Sequence, residues 1–508
     1  MNYIDLFRAT LPETALEVAA LLVLVVDLGF LRRVAMKTRV AVAALLGIAG
    51  CAAALWAVSA AGPFSWGDDV LLTAGGSAGV AQCAILVLTA LTLLLLVDAD
   101  FTRNAGEYVA VLLMAAAGGL IISAALDLLV IFVGLELLSL GLYILTAFAK
   151  RSGKSAEAAM KYYLFGGMSA AFLLFGFSYL YGLCDSTNLH EIALAATVGR
   201  ANGATPLLYI ALVMIAAGLG FKVAAVPFHL WAPDTYEGAP APAAAFIASV
   251  SKVASFALLI SIGSALTHIF DSFHTGIVFV RFGFPTRYLG LQAPWELILT
   301  VLAVASMVFG NLAALAQSSV RRLLAYSAIA HAGYILLGLA FFSWSNMSAQ
   351  AILYYIVTYG LTTIAAFGVV GVVERANGSD KMDAFLGLHK RNPMLAAVML
   401  VLFLSLAGIP PLVGFWAKFN LFAAVLKVSG GAVPFTLVAL AVAFSAVSLY
   451  YYLQVLKRVY VMPGPDESPI KAHPVTMATL VVIAAAVVVL GCFPALLQNW
   501  IAGFYPAI

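Results

Sequence analysis

The chain has 508 residues, 64% of them hydrophobic and only 10% charged, with a net charge of +3 and a mean hydropathy of +1.06. Soluble domains are roughly half apolar and a quarter charged, and part of any water-soluble fold must face water. This composition therefore excludes a soluble protein, and with so small a net charge nothing suggests a nucleic-acid surface.

A helix needs about 20 mostly apolar residues to cross a bilayer. Such runs occur near 10–31, 40–61, 76–97, 107–124, 126–149, 157–182, 206–234, 239–267, 295–316, 322–342, 348–374, 392–428, 433–460 and 474–502. The predicted fold is all-α, a polytopic transmembrane bundle of about 14 helices. The first span contains Glu13, Glu17 and Asp27 and follows no basic cluster, so it reads as a membrane helix and not as a cleaved signal peptide. The seventh and twelfth spans are long and interrupted by proline. The connection 268–294 is long and mixes Arg281 and Arg287 with Phe282, Phe284 and Tyr288; it reads as an external loop or interfacial helix, with a docking loop as the alternative.

Basic residues collect in alternate connections. They are Arg32, Arg33, Lys37 and Arg39 in the first, and Lys150, Arg151, Lys154 and Lys161 about the fifth. Arg321 and Arg322 mark the ninth, Arg375, Lys381, Lys390 and Arg391 the eleventh, and Lys457, Arg458 and Lys471 the thirteenth. Excess Lys and Arg marks the cytoplasmic side, which predicts both termini outside. Cys51, Cys83, Cys184 and Cys492 stand alone, with no CxxC or CxxH spacing, and no GxxxxGK[ST] or GxGxxG occurs. No cofactor or metal is expected in this chain. The stretches AAAGGLIISAA and FGGMSAAF supply small residues for close helix packing.

Charges within the spans carry the functional signal, because a Lys or Asp at a helix centre costs about 2.5–3.5 kcal/mol and usually marks an ion path. Glu136 lies in LLVIFVGLELLSLGLYILTAF, Lys222 in IAAGLGFKVAAVPF, Lys252 in AAFIASVSKVASFALL, His331 in LLAYSAIAHAGYILLGL and Lys418 in GIPPLVGFWAKFNLFAAVL. Burial shifts such groups toward the physiological range and an opposite charge shifts them back, so a Glu–Lys pair with alternative partners can act as a protonation switch. Each has a plainer reading. A lysine beside a proline break, such as Lys418, can snorkel to the interface, and a lone histidine such as His331 can be a packing residue. His229 either caps broken backbone or joins a relay. Glu17, Asp27 and Asp127 lie near span ends and read as structural or interfacial.

Pro227 follows Lys222, and Pro410 and Pro411 precede Lys418. Broken helices in corresponding halves of a membrane protein point to a transport site and to inverted repeats. The breaks lie five spans apart, and AVPFHLWA faintly echoes GIPPLVGFWA. The domain reading is residues 1–106 as three leading helices, 107–267 and 295–460 as two five-helix repeats around the 268–294 connection, and 461–508 as a last helix.

Four strings, LLVIFVGLELLSLGLYIL (128–145), FKVAAVPFHLWAPDTYEGAP (221–240), RRLLAYSAIAHAGY (321–334) and SLAGIPPLVGFWAKF (405–419), resemble the antiporter-like subunits of respiratory complex I over nearly the whole chain. The resemblance implies that Glu136 and Lys222 pair in a proton channel, that Lys252 connects, that Lys418 exchanges protons with the outside, and that His331 lies in the relay segment. It also implies a non-redox role in an NADH-quinone oxidoreductase of the bacterial plasma membrane, with NADH, FMN, iron-sulfur clusters and quinone in other subunits. The neighbours implied are an M-type antiporter-like subunit on one side and small K-type and J-type subunits on the other. Lys418 stands where the M-type subunit is expected to carry glutamate, and the chain ends at Ile508 without the long lateral helix expected of the L-type. Mrp-type sodium/proton antiporters and membrane-bound hydrogenases share the family and are the alternative. The 268–294 connection is longer than the family pattern, and the second repeat has no acid matching Glu136.

Overall fold

The structure is a computed structural model that describes residues 7, 9–61, 71–98, 100–197, 205–273, 294–342, 346–428, 431–464 and 468–505. The described residues are helices joined by short turns, with isolated bridges and no strand among them. Most of the 268–294 connection, including Arg281 and Arg287, lies outside the described residues.

Helices α1 (Leu11–Gly29), α2 (Met36–Ala61), α3 (Gly76–Leu96) and α4 (Ala105–Ala124) lead the chain. Asp27, buried near the end of α1, binds Arg39 through two hydrogen bonds of 2.8 and 2.6 Å and accepts the Gly106 N–H at 3.2 Å. A charged pair that satisfies its lone pairs in this way is structural. Asp127 is structural too. It N-caps α5 (Leu128–Thr146) by accepting from Leu129 and Val130 N–H at 2.8 and 3.2 Å, and it accepts the Thr187 hydroxyl at 2.5 Å. An Asp cap satisfies donors that a helix start otherwise leaves open.

There follow α6 (Gly153–Cys184), the short α7 (Leu189–Thr197), α8 (Thr205–Val223) and the short α9 (Trp231–Gly238). The predicted seventh span is thus α8, an irregular stretch and α9. The eighth is one buried helix in three parts: α10 (Ala241–Phe246), a widened π turn at Ile247–Ser251, and α11 (Lys252–Phe273). Then come α12 (Pro294–Leu315), α13 (Val320–Ala340) and α14 (Asn346–Asn377). After a 3-10 turn and the short α15 (Leu388–Arg391), the predicted twelfth span is split into α16 (Pro393–Ala407) and α17 (Val413–Val428). The chain closes with α18 (Ala432–Tyr460), α19 (Pro474–Cys492) and α20 (Pro494–Ala502).

Twelve described helices have the length and apolar composition to cross a membrane. The two other predicted spans differ from these twelve for visible reasons. Helix α1 has 19 residues but carries three acids, and the twelfth span is cut into pieces of 15 and 16 residues.

The basic connections meet on one face. Arg322 binds Asp234 at 2.7 Å, Lys161 binds the same carboxylate at 2.8 Å, Arg375 binds Asp98 at 2.6 Å, and the Gly387 N–H donates to the Arg458 carbonyl at 3.0 Å. The sparsely charged connections meet on the other face. Leu72 bridges Ala125, Asp127 bridges Asn188, and the Gly76 N–H donates to the Phe504 carbonyl at 3.0 Å. This two-sided sorting is what positive-inside insertion requires. Helix α13 and the helix from Ala241 are almost wholly buried, whereas α6 and α18 expose most of their surface. The core is therefore where α10–α11, α13 and α14 pass one another, and Lys252 and His331 lie there.

Candidate functional site

The first break follows from backbone chemistry. Proline at 227 cannot donate a helix hydrogen bond, and Ala224 takes a left-handed φ of 59°. The freed groups are taken up inside the protein. Trp231 Nε1–H donates to the Phe221 carbonyl at 2.9 Å, the Ala225 N–H to the Gly220 carbonyl at 2.7 Å, and the Val226 N–H to Ser306 Oγ at 2.9 Å. Irregular backbone at membrane depth is tolerated only with such partners. The second break is built alike. Gly408 turns the chain at φ 89°, the Gly414 N–H donates to Ser405 Oγ at 3.2 Å, and Trp416 Nε1–H donates to the Gly491 carbonyl at 2.8 Å. Both breaks carry a cis X–Pro bond, Val226–Pro227 and Pro410–Pro411.

The two breaks present their lysines differently. Lys222 sits in the last turn of α8, before its break, and Lys418 in α17, after its break. Lys418 is 6% exposed, so it does not snorkel. Its ammonium donates to the Leu406 and Ala407 carbonyls at 3.1 and 2.9 Å and to Ser445 Oγ at 2.8 Å. Those carbonyls end α16, where the helix dipole is negative, so the half-helix stands in for the missing second acid. An ammonium has three donors, and all three are used.

Lys222 is buried and donates to the hydroxyl of Ser139, which in turn donates to the Leu135 carbonyl. Among the described residues it makes no ion pair with Glu136, the partner expected from the sequence. Glu136 is half-buried one turn before Ser139 on α5, close enough for its charge to act on the ammonium. The serine was missed; its spacing of three residues from Glu136, which puts both on one helix face, was the available signal.

Lys252, 3% exposed, follows the π turn directly and donates to the Ala328 carbonyl at 2.6 Å. Single π turns inside α-helices frequently mark functional sites. Its ammonium lies 5.7 Å from the Tyr359 ring centre, and the same ring lies 4.9 Å from His331. His331 Nδ1 bonds the Tyr355 hydroxyl at 2.8 Å, and its ring meets Tyr334 at 5.8 Å. Tyr334 in turn lies 5.5 Å from the Lys418 ammonium. His331, Ser405 and Leu406 line a cavity of about 10 Å³, room for a single water. Lys252, His331 and Lys418 thus form one chain through shared aromatic rings. Lys222 is not hydrogen-bonded into it among the described residues. His229 packs its ring on Phe309 at 4.8 Å, and its Nδ1 is buried without a hydrogen-bond partner among the described residues.

Toward the basic face, a cavity of about 450 Å³ opens beside Pro240, Ala241 and Pro242, at the start of the helix that carries Lys252. Charged groups, including Glu237, Arg321, Glu374 and Arg375, line it.

A family model described as NADH:quinone oxidoreductase/Mrp antiporter, TM, matches residues 125–445, which include both broken helices and all five charged site residues. The chain belongs to this family. The subunit N 2 of NADH-quinone oxidoreductase from Acidobacterium capsulatum is 47% identical over 99% of both chains. A chain of respiratory complex I from Thermus thermophilus superposes with a TM-score of 0.76 at 32% identity, covering 96% of this chain and 98% of that one. A chain of the Mrp complex from Dietzia matches at TM-score 0.78 and 20% identity, covering 98% and 96%; at that identity the likeness concerns the fold alone. A member of this family is a multi-pass membrane protein, in accord with the apolar helices described above.

Gly408 offers a test of the site's geometry. A Cβ there would lie 3.0 Å from Lys418 Cδ and 3.3 Å from its ammonium, at a φ of 89°. Gly408→Ala is expected to cost about 1–2 kcal/mol from the left-handed backbone alone and to push the ammonium off its carbonyls. The check is proton uptake by inverted vesicles, which should fall while the amount of assembled chain stays near normal.

Proposed function

We propose that this chain is the N-type antiporter-like subunit of a bacterial NADH-quinone oxidoreductase, moving protons while NADH oxidation and quinone reduction proceed in other subunits. One observation carries the reading: Lys222, Lys252 and Lys418 are buried within the bundle, and none has a carboxylate partner among the described residues. Each costs about 2.5–3.5 kcal/mol to hold in a membrane, an expense that packing would not retain. The relatives named as NADH-quinone oxidoreductase subunit N supply the process that would drive them.

In this reading the energy of electron transfer arrives as an electrostatic or conformational change at a neighbouring membrane subunit. Closing or opening the approach of Glu136 to Lys222 resets that lysine's charge. The proton passes on through Lys252 and His331 to Lys418, where the α16 carbonyls hold the charged form. A protonated lysine only donates and a neutral one can also accept, so each transfer reorders the hydrogen bonds of the next group. The two five-helix repeats, 107–267 and 295–460, would each supply a half-channel; the matching broken helices support this. The neighbours would be the M-type subunit on one side and the K-type and J-type subunits on the other.

The test is NADH-driven acidification of inverted membrane vesicles, measured with NADH-to-quinone electron transfer, in wild type and Lys222→Ala. Loss of both in an assembled complex is the expected result. Unchanged pumping overturns the role of Lys222. Unchanged redox coupling with loss of sodium-driven proton exchange would move the chain to the Mrp-type antiporter function.

A further inference from the structure

We infer that Ser139 is a positioning residue that holds the Lys222 ammonium away from Glu136 and so sets the open state of the charge switch. This rests on the proton-translocating reading above. Ser139 is 1% exposed, and its hydroxyl proton is committed to the Leu135 carbonyl. Only its lone pairs then face Lys222, so the lysine must be the donor, as observed. That arrangement needs one N–H from the lysine, and the bond is stronger when the lysine carries its charge.

Glu136 stands three residues earlier on the same face of α5. The lysine stem is long and flexible, so exchanging the serine for the carboxylate needs a side-chain rotation and no helix movement. The serine and the acid therefore compete for one ammonium. The carboxylate wins when its charge is unopposed, and the serine wins when a neighbouring charge draws the acid away. Without the hydroxyl, the acid has no competitor on α5, and the pair should stay closed through the cycle. The closed pair would stall the transfer from Lys222 and leave the rest of the chain of groups intact.

The experiment measures the rates of NADH-driven proton uptake and of NADH-to-quinone electron transfer in inverted vesicles, normalised to assembled complex. Four variants are compared with wild type: Ser139→Ala, Ser139→Thr, the double variant Ser139→Ala with Glu136→Asp, and Lys222→Ala. Ser139→Ala is expected to lower both rates on the order of tenfold, the factor one charge-assisted hydrogen bond carries. Ser139→Thr keeps the hydroxyl and should stay near wild type. The shorter aspartate reaches Lys222 less well, so the double variant should pump better than Ser139→Ala alone. A merely structural hydroxyl would make the double variant no better than the single one, and that result overturns the inference. Wild-type pumping in Ser139→Ala, with Lys222→Ala inactive, also overturns it but leaves the proposed function standing. Normal pumping in Lys222→Ala removes both.

Discussion

Replacing Lys252 with methionine is expected to leave the complex assembled and to cut NADH-driven proton uptake per assembled complex at least tenfold. The two halves of that outcome have separate causes. Lys252 is 3% exposed, and its ammonium donates to the Ala328 carbonyl at 2.6 Å. Methionine has a similar length and no charge, and replacing a buried ion by an apolar group of similar volume is often neutral or stabilising. The Ala328 carbonyl lies within α13 and keeps its helical surroundings. The chain should therefore fold and insert at least as well as wild type. Function should not survive, because Lys252 shares the Tyr359 ring with His331 and is the proposed link between Lys222 and that histidine. A thioether cannot carry a proton between them. The measurement is vesicle acidification normalised to assembled complex, with thermal unfolding of the isolated complex beside it. A complex that is destabilised and still pumps would show the lysine to be structural after all.

Much of this arrangement was legible in the sequence, and the limits have physical causes. The spans, the alternation of basic connections and the five ionisable residues within the spans are one-dimensional signals, since a bilayer forces long apolar runs and punishes isolated charges within them. The breaks were legible because proline removes a backbone donor wherever it stands. What was not legible is how the charges are satisfied. Lys418 rests on the carbonyls of its own broken helix and on Ser445, 27 residues away, and nothing local marks that serine among many. Tyr355 and Tyr359, which flank His331, read as ordinary aromatics of a buried helix. The π turn before Lys252 leaves no trace in IASVS, because it is a hydrogen-bond choice set by packing. The missing acid of the second repeat was a correct observation whose answer, a helix C-terminus, is made of backbone.

Arg321→Met is expected to do the reverse of Lys252→Met, removing the assembled chain from the membrane while leaving no pumping defect separable from that loss. In the sequence Arg321 is one of two basic residues in a connection, yet the structure buries it at 3% exposure. Its guanidinium donates to the carbonyls of Ala239, Glu237 and Tyr236 at 2.6, 3.3 and 3.5 Å and pairs with Glu374 on α14. It therefore ties the end of α9, and the start of the helix carrying Lys252, to α14. Removing one member of a buried pair costs about 3–5 kcal/mol, and the third-exposed Glu374 carboxylate places this case near the lower end. Three carbonyls at a helix end also lose their donor, and a helix end buried without partners is costly. Arg321→Lys should recover part of the loss only, since an ammonium cannot reproduce the planar fork that spans carboxylate and carbonyls together. The amount of chain in the isolated complex and its unfolding temperature are the readouts; wild-type values for Arg321→Met would overturn the argument. The contrast with Lys252 turns on proton affinity. A guanidinium stays charged at every accessible pH, which suits a clamp and disqualifies a relay. A buried ammonium can give its proton up, which suits Lys222, Lys252 and Lys418 to the proposed relay, whereas Arg321 suits the clamp beside it.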